Sequence, residues 1–218
     1  MRLIWSCLIV VAVFAAAIGG LKLAFPLPEE NFSEPSLSKD ANWVGRLGAT
    51  FQNALERNPG LDGVRPLGNG RAAFAARAIL AREATSSIDA QYYIWQDDIT
   101  GLMLLDELRA AAERGVRVRL LVDDNGISGL DDLLAELDAL PSANVRIFNP
   151  FTLRNPKLLS YAFDFSRLNR RMHNKSMTVD GVATIVGGRN IGDIYFDYGV
   201  GTHYLDVDTI AIGPIVGE

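Results

Sequence analysis

The stretch "IDAQYYIWQDDITGLMLLDELRAAAERGVRVRLLVDDNG", residues 88–126, decides the fold class. It opens on residues typical of a β-strand that ends near Trp95, and then changes to the 3.6-residue spacing of a helix. Thr100 is the expected N-cap of that helix and Gly115 its C-cap. "VRVRLLVDD", residues 116–124, predicts a second strand. A strand, a helix and a strand in this order predict a parallel pair with a helical crossover.

The pattern extends on both sides of this stretch. Helical spacing recurs in "WVGRLGATFQNALER" (43–57), "GRAAFAARAILAREA" (70–84) and "GLDDLLAELDAL" (129–140), and "NVRIFN" (144–149) predicts a third strand. "SMTVDG" and "VATIVGG" predict a hairpin that turns at Asp180-Gly181, and "YLDVDTIAIG" (204–213) predicts a further strand. The expected class is α/β with a mixed, largely parallel sheet. Asp97, Asp98 and Asp124 follow predicted strands and are interpreted as turn formers and helix caps.

The first 41 residues differ in composition from the rest. Residues 3–21 are uncharged, and nineteen residues approach the roughly 20 that cross a bilayer as a helix. A cleavable signal and an uncleaved anchor both fit, and the run continues past the small residues, which favours the anchor. "PLPEENFSEPSLSKD" (26–40) is typical of a linker. We therefore expect a signal or anchor at 1–24, a linker at 25–41 and one domain at 42–218.

Charge and cysteine content exclude several classes of function. The net charge of the 218 residues is -5, which does not suit a general nucleic-acid binder. Cys7 is the single cysteine, so the chain forms no intramolecular disulfide and no cysteine-based metal cage.

The most specific signal is "RRMHNKSMTVDGVATIVGGRN", residues 170–190. His173, Lys175 and Asp180 fit the pattern H-x-K-x4-D, and G-G-x-N follows up to Asn190. In a strand, residues two apart point to the same face, so the imidazole and the ammonium share one space. A phosphate between them would relieve that repulsion. Lys175 and the Asn190 amide can hold its non-bridging oxygens, and a neutral histidine is a competent nucleophile.

This stretch resembles the catalytic signature of the phospholipase D superfamily. Together with residues 88–126 and "VRIFNP", it resembles the N-terminal half of bacterial cardiolipin synthases, over about residues 65–215. The resemblance implies an α/β/α sandwich and a phosphohistidine intermediate, with no cofactor and no metal. It also implies that a second histidine, from a second copy of the motif, protonates the leaving alcohol.

The resemblance also suggests roles for other residues. The family's carboxylate that orients the histidine stands seven residues before a Gly-Pro, which corresponds to Asp206, with Asp208 as the reserve. Asp180 belongs to the catalytic motif, but a structural salt bridge or a turn suits it better than chemistry. Gly188 stands where the superfamily often has a serine that reaches the phosphate, and we expect Arg189 or backbone amides to replace that donor.

Basic residues lead into the motif. Arg167, Arg170 and Arg171 are interpreted as a positive face for anionic lipid head groups, with a solvated helix face as the alternative. The aromatic and leucine residues of 148–165 either enter the membrane interface or belong to the core. His203, the only other histidine, is interpreted as a loop residue, and its spacing from His173 matches no zinc ligand pattern.

Two such motifs build the family's active site, and this chain has one. The chain stops directly after a predicted strand, so we expect either an N-terminal fragment, inactive alone, or a homodimer in which each subunit supplies one histidine. Three functions remain: phosphatidyl transfer that makes cardiolipin, a phospholipase or nuclease phosphodiesterase, and a fragment without catalysis. The expected substrates are phosphatidylglycerol and phosphatidylethanolamine, not nucleic acid. The expected location is a bacterial inner membrane or envelope, and Arg2 ahead of the apolar run favours a periplasmic domain.

Overall fold

The computed structural model of the protein describes residues 1–27 and 37–217. Most of the predicted linker lies outside the described residues. The chain folds as two compact units. The first contains the N-terminal helix together with Asn149–Arg171, and the second contains the remaining described residues. In this division, residues 149–171 group with the N-terminal helix. The bounds 1–24, 25–41 and 42–218 stay a prediction.

The second unit alternates helices and strands. Its four α-helices and seven strands are α2 (Arg46–Glu56), β1 (Gly63–Leu67), α3 (Gly70–Glu83), β2 (Ser87–Tyr92), α4 (Ile99–Glu113), β3 (Arg117–Asp123), α5 (Asp131–Asp138), β4 (Ala143–Phe148), β5 (Lys175–Val179), β6 (Ala183–Gly187) and β7 (Asp208–Ile212). Short 3-10 turns lie at Asp124–Gly126, Asp193–Tyr195 and Pro214–Gly217.

The strands form one mixed sheet in the order β1-β7-β6-β5-β2-β3-β4. Helical crossovers make β2, β3 and β4 parallel to one another. The other four neighbouring pairs are antiparallel. The α/β class and the mixed sheet are confirmed, but the expectation of a largely parallel sheet was wrong. The predicted β5–β6 turn accounts for one antiparallel pair, because two strands joined by a two-residue turn can only run antiparallel. The β1–β7, β2–β5 and β6–β7 pairs join strands that no short turn connects, so no local pattern predicted their direction.

One apolar core holds this unit together. Helices α2 to α5 pack their buried residues against Ile88, Leu120 and Met177, which lie on one face of the sheet. Alternate residues point to the opposite face, where Asp89, Gln91 and Arg119 are half-buried. The helical layer formed by these four helices therefore covers one face of the sheet. The side chains of Asp89 and Arg119 form an ion pair there at 2.5 Å.

Two local features depart from the sequence-based expectation. Strand β1 was not predicted, since it contains Pro66, which cannot donate to a sheet ladder. The structure places β1 at the edge of the sheet, paired with β7 alone, where a missing donor is tolerated. The N-cap of α4 is Asp98 and not Thr100, because the Asp98 carboxylate accepts a hydrogen bond from the Gly101 N–H at 2.9 Å.

The first unit is built on a long apolar helix, α1 (Arg2–Ala24). It is followed in this unit by a 3-10 turn (Lys157–Ser160) and a short helix, α6 (Tyr161–Leu168), which kinks at Asp164. The ring of Phe25, just past the end of α1, stacks on Phe163 of α6 with centroids 6.1 Å apart. Residues Ile4–Ala24 are long and apolar enough to cross a membrane, and a signal sequence has the same properties.

Candidate active site

The β5–β6 hairpin carries the H-x-K-x4-D motif, and its turn explains the spacing. Asp180 and Gly181 both adopt left-handed φ angles, 54° and 64°, and the Val182 N–H donates to the Val179 carbonyl at 3.1 Å. This is the two-residue turn that best matches the twist of antiparallel strands. The predicted hairpin is confirmed. Its register brings the start of β5 beside the end of β6, so that Lys175 and Gly187 are neighbours.

A cavity of about 380 Å³ opens at this end of the hairpin. It gathers five residues of the predicted signature with four from the segment that precedes β7 or from the turn after β6. Its lining residues are His173, Lys175, Gly187, Gly188, Asn190, Tyr195, Tyr204, Leu205 and Asp206. The structure therefore brings the imidazole, the ammonium and the amide into one site, as the motif predicted.

Lys175 is the cation of this cavity. Its side chain is buried, and its Nζ donates a hydrogen bond to the His173 carbonyl at 3.0 Å and lies 5.6 Å from the centroid of the Tyr93 ring. Burial lowers the pKa of Lys175, and attraction to Asp206 opposes that shift. Among the described residues the His173 carbonyl is its hydrogen-bond acceptor, which leaves two of its three N–H donors for an anion.

His173 is held by packing and by its backbone. Its imidazole is exposed and lies against the Tyr93 ring, with centroids 4.7 Å apart. The preceding residue, Met172, donates its N–H to the buried carboxylate of Asp123 at 2.9 Å. Asp123 thus fixes the chain where it enters the site. Within residues 1–27 and 37–217, the imidazole makes no hydrogen bond, so it is open to a substrate.

Asn190 is oriented so that its amide group serves the cavity. Its Oδ1 accepts the Ile94 N–H at 3.0 Å, which fixes the side-chain flip. The side chain also lies near the Tyr195 hydroxyl, whose pKa it lowers. Because Oδ1 faces Ile94, the amide NH₂ is left as a donor on the side of the cavity.

Asp206 and Gly188 lie against each other. A Cβ added at Gly188 would stand 1.9 Å from Asp206 Oδ1, closer than any real contact. The Gly188 N–H donates to the Val207 carbonyl at 3.3 Å, so the phosphate contact expected of Gly188 has no free amide. Asp206 precedes β7 rather than lying on it. It shares the cavity with His173, and its role as the carboxylate that orients the imidazole stays a prediction.

The family is decided by a match over more than half of the chain. The sequence model described as "Cardiolipin synthase, PLD-like domain" matches residues 79–200, which hold the H-x-K-x4-D motif and Asn190. The chain belongs to this phospholipase D-like family. The resemblance inferred from the motif is thereby confirmed.

Relatives of this phospholipase D-like chain include named cardiolipin synthases. It is 56% identical over 173 residues to "Cardiolipin synthase C" of Escherichia coli (strain K12), covering 79% of this chain and 37% of that protein. It is 38% identical over 114 residues to "Cardiolipin synthase" of Staphylococcus aureus (strain Mu50), covering 52% and 22%. A phosphatidylserine synthase from Haemophilus influenzae Rd KW20 shares the fold, with a TM-score of 0.52, 17% identity and coverage of 74% and 37%. The chain spans less than two fifths of each of these proteins.

Asp180, the last residue of the phospholipase D motif, lies at the far end of the hairpin from the cavity. Its buried carboxylate accepts hydrogen bonds from the N–H groups of Thr85, Ser86 and Ser87 and from the Thr85 hydroxyl, at 2.7–3.0 Å. The Asp180 carbonyl also accepts the Asn42 N–H at 2.8 Å. These contacts support the structural interpretation, with backbone hydrogen bonds in place of the expected salt bridge.

Asp208, the reserve carboxylate, is committed to a buried ion pair. Its Oδ2 lies 2.9 Å from Arg77 Nη2 and 3.5 Å from Arg189 Nη1. Arg77 also donates to the Tyr92 hydroxyl at 3.0 Å. The attraction of Tyr92 and Asp208 outweighs burial and raises the pKa of Arg77, so this network beneath the cavity stays charged.

Arg189 does not supply the donor that a serine at position 188 would have given. Its guanidinium donates to the carbonyls of Tyr195, Leu67 and Gly68, at 3.1, 2.7 and 2.7 Å. Its backbone N–H donates to Asp208 at 3.1 Å. That expectation was wrong, because a buried guanidinium needs these carbonyls to satisfy its own donors.

The three arginines expected at a lipid surface lie in the first unit and differ in exposure. Arg167 is half-buried and bonds Asp164 at 2.6 Å and the Pro150 carbonyl at 2.9 Å, so it holds its own segment together. Arg171 donates to the Asn149 carbonyl at 2.7 Å. Arg170 is exposed and is the one of the three that remains suited to a head group.

His203 lies in the irregular segment before β7 and does not line the cavity. Its Nδ1 is buried without a hydrogen-bond partner. Among the residues that the structure describes, no cluster of three or more histidine, cysteine or acidic side chains could hold a metal ion.

The tyrosines of the site were not predicted from the sequence. Tyr93 packs on His173, and Tyr195 and Tyr204 line the cavity with their rings stacked 5.2 Å apart. Tyr93 directly follows strand β2, at the edge where α/β proteins place their ligands, and that position was the signal that could have found it. Tyr195 stands five residues after Asn190, and only the fold of the turn brings it back.

Proposed function

We propose that this chain takes part in phosphatidyl transfer between phospholipids, the reaction that makes cardiolipin, and supplies one of the two motifs required. One observation carries the proposal. An exposed imidazole, a buried ammonium and an oriented amide, from His173, Lys175 and Asn190, line one cavity. This set can bind a phosphodiester anion and attack its phosphorus.

The proposed reaction has two displacements at phosphorus. In the first, Lys175 and Asn190 hold the non-bridging oxygens while an imidazole nitrogen of His173 forms a bond to phosphorus. The bond from phosphorus to the head-group oxygen breaks, and that alcohol leaves with a proton from the second histidine. In the second, the hydroxyl of another lipid attacks, returns its proton to that histidine, and the phosphorus–nitrogen bond breaks. Water in place of the lipid hydroxyl would give hydrolysis.

Lipid substrates are supported by the relatives and by the first unit. Two of the relatives above are named cardiolipin synthases, and phosphatidylglycerol and phosphatidylethanolamine are the lipids we propose for this chain. Helix α1 is unburied over the whole apolar span, and the 3-10 turn and α6 expose Leu158, Leu159 and Phe165. We propose that this unit anchors the chain in a membrane, with Arg170 at the head groups.

Turnover by the purified full chain in detergent tests the proposal. Labelled phosphatidylglycerol vesicles would be supplied with and without phosphatidylethanolamine, and products separated by chromatography. We expect labelled cardiolipin from the native chain and none from His173→Ala, with His203→Ala as the matched histidine control that keeps activity. If phosphatidic acid were the sole product, the reaction would be hydrolysis and not transfer. No product from folded chain would show that a second copy does not complete the site.

A further inference from the structure

Tyr195 places a hydroxyl in the cavity with its proton unused. The ring is buried at the end of the 3-10 turn Asp193–Tyr195 and lines the cavity beside Lys175. The Asn190 side chain lies close enough to this hydroxyl to lower its pKa. Within the described parts of the chain, no acceptor takes the Tyr195 proton, so it is available to a ligand.

The neighbouring groups cannot act as this donor. Gly188 has no side chain, and its N–H is bonded to the Val207 carbonyl. The guanidinium and the N–H of Arg189 are bonded to backbone carbonyls and to Asp208. Besides the Lys175 ammonium and the Asn190 amide, the cavity has the hydroxyl groups of Tyr195 and Tyr204 as donors. Tyr195 is buried and Tyr204 is exposed, so Tyr195 is the one held in place by packing.

Glycine at position 188 follows from the placement of Asp206. The 1.9 Å separation between a Cβ placed on Gly188 and Asp206 Oδ1 leaves no room for any side chain while the carboxylate keeps its place. A side chain at position 188 would therefore require the Asp206 carboxylate to move. The protein has the carboxylate, and its hydroxyl comes from elsewhere in the site.

We infer that the Tyr195 hydroxyl donates a hydrogen bond to a non-bridging oxygen of the substrate phosphate, in the place of a side-chain hydroxyl at position 188. The inference rests on the proposed function, since it concerns the same phosphate site. Burial, with the nearby Tyr204 and Asp206, raises the pKa of Tyr195, and the nearby Asn190 side chain opposes that shift. The phenol therefore stays protonated, and remains a donor, throughout the neutral range.

Inorganic phosphate is the probe, with affinity measured by calorimetry on the full chain in detergent. Tyr195→Phe keeps the ring but removes the donor, and we expect about tenfold weaker binding, the loss of one hydrogen bond to a charged ligand. Tyr198→Phe, an exposed tyrosine outside the cavity, is the matched control and should bind within about twofold of the native chain. Lys175→Gln should bind more weakly still.

The outcomes separate the inference from the proposed function. Native affinity in Tyr195→Phe, with loss in Lys175→Gln, would overturn the inference and leave the phosphate site standing. No phosphate binding by the folded native chain would overturn both. A second test concerns position 188 directly. Gly188→Ser should lower phosphate affinity in the native background, and it should lower that affinity by less in an Asp206→Gly background. An equal loss of phosphate affinity in both backgrounds would refute the idea that Asp206 makes serine unfavourable at position 188.

Discussion

Asp180→Asn is the substitution that most sharply separates structure from chemistry in the motif. The carboxylate is fully buried, with one oxygen accepting the N–H groups of Ser86 and Ser87 and the other accepting the N–H and hydroxyl of Thr85. Asparagine keeps the left-handed backbone conformation but turns one of these oxygens into a donor. At least one buried N–H loses its acceptor, since the Thr85 hydroxyl can accept where it donated, and the remaining hydrogen bonds lose a charged acceptor. We therefore expect the free energy of unfolding to fall by about 3 kcal/mol.

Urea unfolding of the full chain in detergent measures this loss, with the buried Trp95 as the fluorescent reporter. Asp97→Asn removes the same charge from an exposed loop position and should change stability by no more than about 0.5 kcal/mol. Phosphate affinity per folded molecule should be unchanged in both variants. An Asp180→Asn chain of native stability that fails to bind phosphate would refute the structural role.

Three further predictions concern the network, the cation and the membrane unit. Asp208→Asn leaves the buried Arg77 without its charged partner and should lower the free energy of unfolding by about 3–5 kcal/mol in the same urea assay. The pKa of Lys175 is lowered, so its ammonium loses its proton below pH 10.5, the usual lysine value, and phosphate affinity should begin to fall there. Lys175→Arg should keep phosphate binding to higher pH. The same pH profile of phosphate affinity in both proteins would refute the prediction. The emission of a fluorescent label on Phe165→Cys, in a Cys7→Ser background, should shift to the blue when the chain binds vesicles with anionic lipid. Arg170→Gln should reduce that shift. A substitution of the half-buried Arg167 should change the free energy of unfolding instead.

The hairpin shows what the sequence determines locally. Asp180 and Gly181 are residues that accept left-handed backbone angles, so their position alone predicts the turn, and the turn fixes which strands are neighbours. The turn also places His173, Lys175 and Asn190 at the same end of the hairpin. These parts of the site could be predicted because each depends on residues close in sequence.

Other features depend on partners distant in sequence. Pro66 argues against a strand at β1, and β1 forms by pairing with β7, which is distant in sequence. Asp98 replaces Thr100 as the N-cap because its other carboxylate oxygen also accepts the Asp193 N–H at 2.7 Å. Tyr195 enters the site because the segment after Asn190 folds back over it. Neither the periodicity of the sequence nor a local motif predicts such contacts.

The central claim is that His173 forms a covalent bond to phosphorus, and one measurement tests it most directly. A phosphatidyl ester of p-nitrophenol carries a leaving group that departs without protonation, so the second histidine is not needed for the first displacement. We predict a burst of p-nitrophenolate stoichiometric with the chain and a phosphatidyl adduct on His173 in the intact mass, both absent in His173→Ala and present in His203→Ala. Folded chain that binds phosphate but shows no burst and no adduct, or an adduct that persists in His173→Ala, would contradict the account.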